Sequence, residues 1–89
     1  MIKIYVKVGC PYCSKVLRKI NDLELKNGAD YILVDAPANT PGRAELIRLG
    51  GIGQVPFIYD EDANVKMYES EDIAAYLEKK FSRTAKSSR

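Results

Sequence analysis

The chain opens on an alternation. Ile2, Ile4, Val6 and Val8 are separated by Lys3, Tyr5 and Lys7, and a period of two rich in β-branched residues predicts a strand with one buried face. Gly9 ends it. From Pro11 the period lengthens. Val16, Leu17, Ile20 and Leu23 form a stripe with Arg18, Lys19, Asp22 and Lys26 outside it, the spacing of an amphipathic helix. Proline suits the first helical position, where no N–H is needed, so Cys10 falls at the N-cap. Residues 27–30, Asn-Gly-Ala-Asp, read as a stop and turn. The mostly apolar segment 31–35 predicts a short strand of the kind covered on both faces. A second helix follows, capped by Thr40, with Pro41 in its first turn and Ala44, Leu46, Ile47 and Leu49 on its apolar side. Gly50–Gly51 stops it. Residues 55–60 and 65–70 flank a polar stretch and predict a hairpin. The final helix opens at Ser70 as N-cap, with Glu71 and Asp72 favouring its dipole and Ile73, Ala74, Leu77 and Phe81 facing inward.

The predicted order is βαβαββα, an α/β class in which the first two strands pair in parallel through a right-handed crossover. The hairpin adds antiparallel strands, and helices cover both faces. Pro56 conflicts with this pattern, because proline at the start of a central strand removes a ladder donor. A cis peptide there turns the chain tightly enough to resolve the conflict. Tyr31, Tyr59, Tyr68 and Tyr76 are assigned to core or rim, without chemistry.

Composition narrows the function classes. The chain has 89 residues, one small domain, expected over residues 1–82 with a basic flexible tail at 83–89. A net charge of +2, without a basic patch interleaved with aromatics, argues against nucleic-acid binding. The N-terminus has no signal-peptide pattern, and no apolar run approaches the roughly 18 residues of a membrane span. A cytoplasmic, monomeric protein is expected.

The two cysteines, Cys10 and Cys13, lie in "VKVGCPYCSKVL" (6–17). A bridge between them closes too short a loop to constrain the unfolded chain much. Structural zinc needs four ligands, and two cysteines without histidine do not supply them, so no metal is expected. The absence of histidine also excludes a Cys–His catalytic pair within the chain. What remains is a thiol activated by backbone and lysine. Lowering its pKa by three units takes roughly 4 kcal/mol, most of which one or two charge-assisted hydrogen bonds at about 1.5–3 kcal/mol each can supply. The helix dipole adds about 0.3–1 kcal/mol. Cys10 should then attack, and Cys13, one turn inside the helix and still protonated, should resolve the mixed disulfide.

A strand, then "CPYC" at a helix start, then "VP" before a hairpin and an acid-headed final helix resembles the glutaredoxins over about residues 2–81. The resemblance implies a thioredoxin-like fold, a four-stranded mixed sheet with three helices. It implies glutathione-dependent thiol–disulfide exchange, with glutathione as co-substrate and disulfide-containing or glutathionylated proteins as partners. Cys10 matches the nucleophile and Cys13 the resolving cysteine. Val55 matches the residue whose backbone pairs with glutathione's cysteine, and Pro56 the cis-proline. Lys7, Tyr12 and Arg43 match residues at the glycine end. Ser70 and Glu71 match the pair whose amides take the γ-glutamyl carboxylate, and Asp72 the acid that meets its ammonium. Gln54 replaces the usual threonine, and Tyr68–Glu69 a glycine pair. The segment "VPFI…YESEDIAAYL" is also similar to the N-terminal domain of glutathione transferases. Two other readings remain open: an electron donor recharged by a thioredoxin reductase, and a non-catalytic glutathione- or protein-binding module.

Overall fold

The computed structural model describes the backbone of residues 1–87 and the side chains of residues 1–81. Four strands, β1 (Ile2–Val6), β2 (Tyr31–Asp35), β3 (Phe57–Asp60) and β4 (Val65–Met67), combine with three helices, α1 (Pro11–Asp22), α2 (Pro41–Gly50) and α3 (Ser70–Ser87). They form one sheet of order β2-β1-β3-β4. β1 runs parallel to β2, with Ile4 opposite Leu33, and antiparallel to β3, with Ile4 opposite Ile58. This is the mixed four-stranded thioredoxin-like fold that the resemblance implies, in the βαβαββα order that the sequence pattern predicts. The expected tail falls on residues whose side chains, and for 88–89 whose backbone, lie outside the described ones.

Two cores sandwich the sheet. On one side Ile2, Ile4, Val6 and Ile58 meet Cys13, Val16 and Ile20 of α1 and Ile73 and Leu77 of α3. On the other, Tyr5, Ala36 and Phe57 meet Leu46 of α2. Each fully buried aliphatic here contributes about 1.5–3 kcal/mol over leaving it in water. Tyr5 departs from the sequence reading. Placed with lysines on the polar side, it is wholly buried, because β1 is a central strand and α2 covers its second face. Its hydroxyl donates to Glu45 at 2.7 Å, and its ring lies 5.5 Å from that of Phe57.

Other expectations are corrected. Val8 is 89% exposed, since β1 ends at Val6 where its partners end. β2 is an edge strand that meets both cores, through Leu33 on one face and Val34 on the other, but its cover is incomplete and Ile32 is exposed. In α1 Leu17 is exposed, and in α2 only Leu46 of the four apolar positions is buried. Ser70 is the first residue of α3 rather than its cap: the helix's opening carbonyl is that of Glu69, which accepts from Ile73 N–H at 2.8 Å. The Val55–Pro56 peptide is cis, as expected, and β3 begins only at Phe57 rather than at 55, so Pro56 takes no place in the ladder. Among the described residues, no helix is long and apolar enough to cross a membrane.

Candidate active site

Local rules place the first sulfur. The chain leaves β1, turns through Gly9 at φ 85, and enters Cys10 in an extended conformation, φ −86 and ψ 118. A residue so disposed caps the helix that follows it. Pro11 has no N–H to offer, so the nearest free amides of the first turn are those of Tyr12 and Cys13. The Cys13 N–H donates to Cys10 Sγ at 3.4 Å, and the Cys10 carbonyl starts the helical ladder by accepting from Ser14 N–H at 3.1 Å.

The two thiols are driven apart. Partial burial of Cys10 works against its thiolate, but the Cys13 thiol, the Cys13 and Tyr12 amides and the Lys7 charge outweigh it, and its pKa is lowered. Cys13 is 1% exposed. Burial, with the hydrogen bond it donates to Cys10, pushes its pKa up to about 11. The thiolate is the nucleophile in disulfide chemistry, so the first sulfur is poised to attack and the second to wait as a thiol.

Alongside this turn runs a cleft of about 610 Å³ lined by Tyr12, Lys15, Gln54, Val55, Pro56 and residues 68–72. Six of the sequence-predicted residues thus share one wall system: Tyr12 from α1, Val55 and Pro56 from the segment entering β3, and Ser70, Glu71 and Asp72 from the first turn of α3. The first turn of α3 lines this space, and a helix N-terminus is a favourable place for an anion. Tyr12 is 66% exposed. Lys7 is exposed on the turn before Cys10 and acts on the sulfur through its charge.

Arg43 is not brought to that cleft. Its Nε donates to the Ala36 carbonyl at 2.9 Å and its Nη1 to the Gly53 carbonyl at 3.1 Å. It borders a separate hollow against Thr40, Ile47 and Gly53 and pins the start of α2 to the end of β2.

Residues missed by the sequence reading complete the site. Lys15 lines the cleft and places its ammonium 3.1 Å from the Glu71 carboxylate. Tyr68 walls it, its ring centroid 4.6 Å from that of Phe57, its hydroxyl accepting from Ile52 N–H at 3.1 Å and donating to Ile52 carbonyl at 2.7 Å. The available signal was a cation two residues past Cys13 and the Tyr-Glu pair where glycines were expected.

The sequence pattern described as the glutathione S-transferase N-terminal domain matches residues 4–85. The chain belongs to that family. Among solved structures, a glutathione S-transferase from the Antarctic clam Laternula elliptica superposes with a TM-score of 0.71 at 29% identity, over 90% of this chain and 35% of that one. A glutathione transferase homologue from Sulfitobacter, solved with bound glutathione, gives 0.71 at 18% identity over 96% and 39%. Human glutathione S-transferase T1-1 gives 0.73 at 17% over 92% and 33%; these last two show the fold alone. The chain spans about a third of the length of these proteins. A comparison with curated proteins returns no match.

Proposed function

We propose that this glutathione transferase-family domain is a dithiol oxidoreductase of glutaredoxin type, with glutathione as co-substrate. The observation that carries the reading is the contrast between the two thiols: Cys10 at the α1 N-cap, lowered, and Cys13 buried and raised to about 11. The Cys10 thiolate attacks one sulfur of a substrate disulfide, and the leaving thiolate takes a proton from water. Cys13 then loses its proton and displaces the second thiol, closing the Cys10–Cys13 disulfide. Two glutathione molecules reopen it in successive exchanges and leave as glutathione disulfide.

The cleft suits the peptide's polar end. The opening amides of α3, at Ser70 and Glu71, suit the γ-glutamyl carboxylate, and Asp72 its ammonium. Val55 and cis Pro56 line the same cleft. Glutathionylated proteins and protein disulfides are the substrates proposed, acting in the cytoplasm on a monomer. The family match favours one alternative, glutathione binding without exchange.

Steady-state reduction of a small neutral disulfide, coupled to glutathione and glutathione reductase, separates the two. Wild type should turn over and Cys10→Ser should lose at least about 100-fold. Full activity of Cys10→Ser overturns the assignment, and glutathione binding with no turnover by wild type favours the alternative.

A further inference from the structure

We propose that Arg43 and Tyr68 are positioning residues: they brace the segment from Gly51 to Gln54 and so hold Val55 and Pro56 where glutathione is received. The inference rests on the glutathione reading above and adds the residues that shape its site from behind.

The segment between α2 and β3 has little structure of its own. Gly51 stands at φ 99 and closes α2 by donating its N–H to the Ile47 carbonyl at 2.7 Å. Beyond it residues 52–54 are exposed, and Gly53 adds a second position of high backbone freedom. Among the described residues, no backbone–backbone hydrogen bond holds residues 52–55. The same segment nevertheless carries Gln54, Val55 and Pro56 into the wall of the cleft.

Two side chains supply what the backbone lacks. The Tyr68 hydroxyl, just past β4, accepts from Ile52 N–H at 3.1 Å and donates to the Ile52 carbonyl at 2.7 Å. Arg43, in the first turn of α2, donates through Nη1 to the Gly53 carbonyl at 3.1 Å and through Nε to the Ala36 carbonyl at 2.9 Å. Three bonds thus tie two consecutive residues, one to the end of β4 and the other to the junction of β2 and α2. Both anchors are seated. The Tyr68 ring lies 4.6 Å from that of Phe57, in room that Gly50 leaves, since a Cβ there would overlap the Tyr68 hydroxyl. A Cβ at Gly53 would come 3.1 Å from Ile47 and 3.6 Å from the Arg43 stem, so the segment lies close against α2. Arg43 borders the other hollow, and its part in binding therefore runs through the segment rather than through ligand contact. With either tie cut, the segment samples arrangements that do not receive the peptide, and the apparent Kd rises as the inverse of the fraction that does.

The test measures glutathione binding to the reduced protein by calorimetry in wild type, Tyr68→Phe and Arg43→Met. Tyr68→Phe keeps the ring on Phe57 and removes only the hydroxyl; Arg43→Met keeps an apolar stem and removes the donors. Each should raise Kd about fivefold, the consequence of a receptive fraction near one in five. Amide exchange supplies the readout that a merely structural role would not move. In Arg43→Met the Ile52 amide should exchange faster although its own partner, Tyr68, is intact, while amides of β1 and β3 keep their protection. The pH midpoint of Cys10 alkylation should stay in place, because the groups acting on that sulfur are Cys13, Tyr12 and Lys7. An unchanged Kd in either variant overturns the proposal. So does a rise accompanied by equal loosening of the whole sheet, which marks a general loss of stability. If wild type binds glutathione without reducing disulfides, the exchange reading falls while the Kd shifts still decide the bracing. If wild type binds no glutathione, both fall together.

Discussion

At the scale of single residues, the chemistry is a contest between burial and hydrogen bonding at two sulfurs. Burial alone would raise both thiols. At Cys10 it loses, because donors converge on the sulfur from the Cys13 thiol, two amides and the Lys7 field. At Cys13 it wins, because that residue sits inside the helix where its own thiol is a donor rather than an acceptor. Removing that donor should be visible at its partner. In Cys13→Ala the Cys10 pKa should move up toward its ordinary value of 9.0, read from the pH dependence of alkylation by iodoacetamide. Reduction of glutathione mixed disulfides, which needs one cysteine, should persist. An unmoved alkylation midpoint would mean that the amides alone hold the thiolate.

Between elements, contacts distant in sequence decide how well the cleft and its supports are held. Asp60, at the end of β3, is wholly buried. It accepts from the Tyr76 hydroxyl and from Lys80 at 3.1 Å, both on α3. Burial opposes its charge, but these donors prevail and its pKa is lowered from 3.8. Its contribution is therefore present above pH 3.8 and lost as pH falls through the lower folded value. Lys80 is 39% exposed and regains water when its partner is removed, so Asp60→Ala should cost about 1–3 kcal/mol rather than the 3–5 of a fully buried pair. Urea unfolding at pH 7 measures the loss, and the acid limb of the stability curve should flatten in the variant. Gly50, the last residue of α2, supports the cleft in another way. A Cβ there would overlap the Tyr68 hydroxyl and come within 2.8 Å of the Phe57 ring. Alanine gains up to about 1 kcal/mol in helix propensity, but overpacking costs about 1–3. Gly50→Ala should destabilise the fold and weaken glutathione binding, measured by calorimetry.

For the whole molecule, the two thiols shape stability against pH in opposite directions. The depressed Cys10 adds stability as pH rises from its folded pKa to 9.0, and the elevated Cys13 removes it from 9.0 to about 11. A shift of about two units corresponds to a loss on the order of 3 kcal/mol across that window. Tyr76, raised to about 12 by burial and its bond to Asp60, extends the decline. Denaturant midpoints of the reduced protein should fall above pH 9, and Cys13→Ala should lose much of the early part of that fall. A variant with the same alkaline limb as wild type would exclude Cys13 as its source. Charge is also distributed at this scale: a chain of +2 presents an acidic cleft, an arrangement that neither number alone conveys.

What the sequence determined by itself is what local interactions enforce. Cys10 caps α1 because Pro11 presets the first helical φ and the donor lies only three residues on; no distant contact is needed. The βαβαββα order follows from two hydrophobic periods and their punctuation, and the cis bond at Pro56 from a conflict within one segment. Only the tertiary structure decided which face of each element counts. Tyr5 turned inward because α2 roofs the second side of a central strand, and β2 stayed partly bare because it lies at an edge. Arg43 was diverted to carbonyls seven and ten residues away, and Lys15 met Glu71 across 56 residues of chain. Side-chain charge is legible in a sequence; the partner that neutralises it is set by packing, and packing joins residues that no period relates.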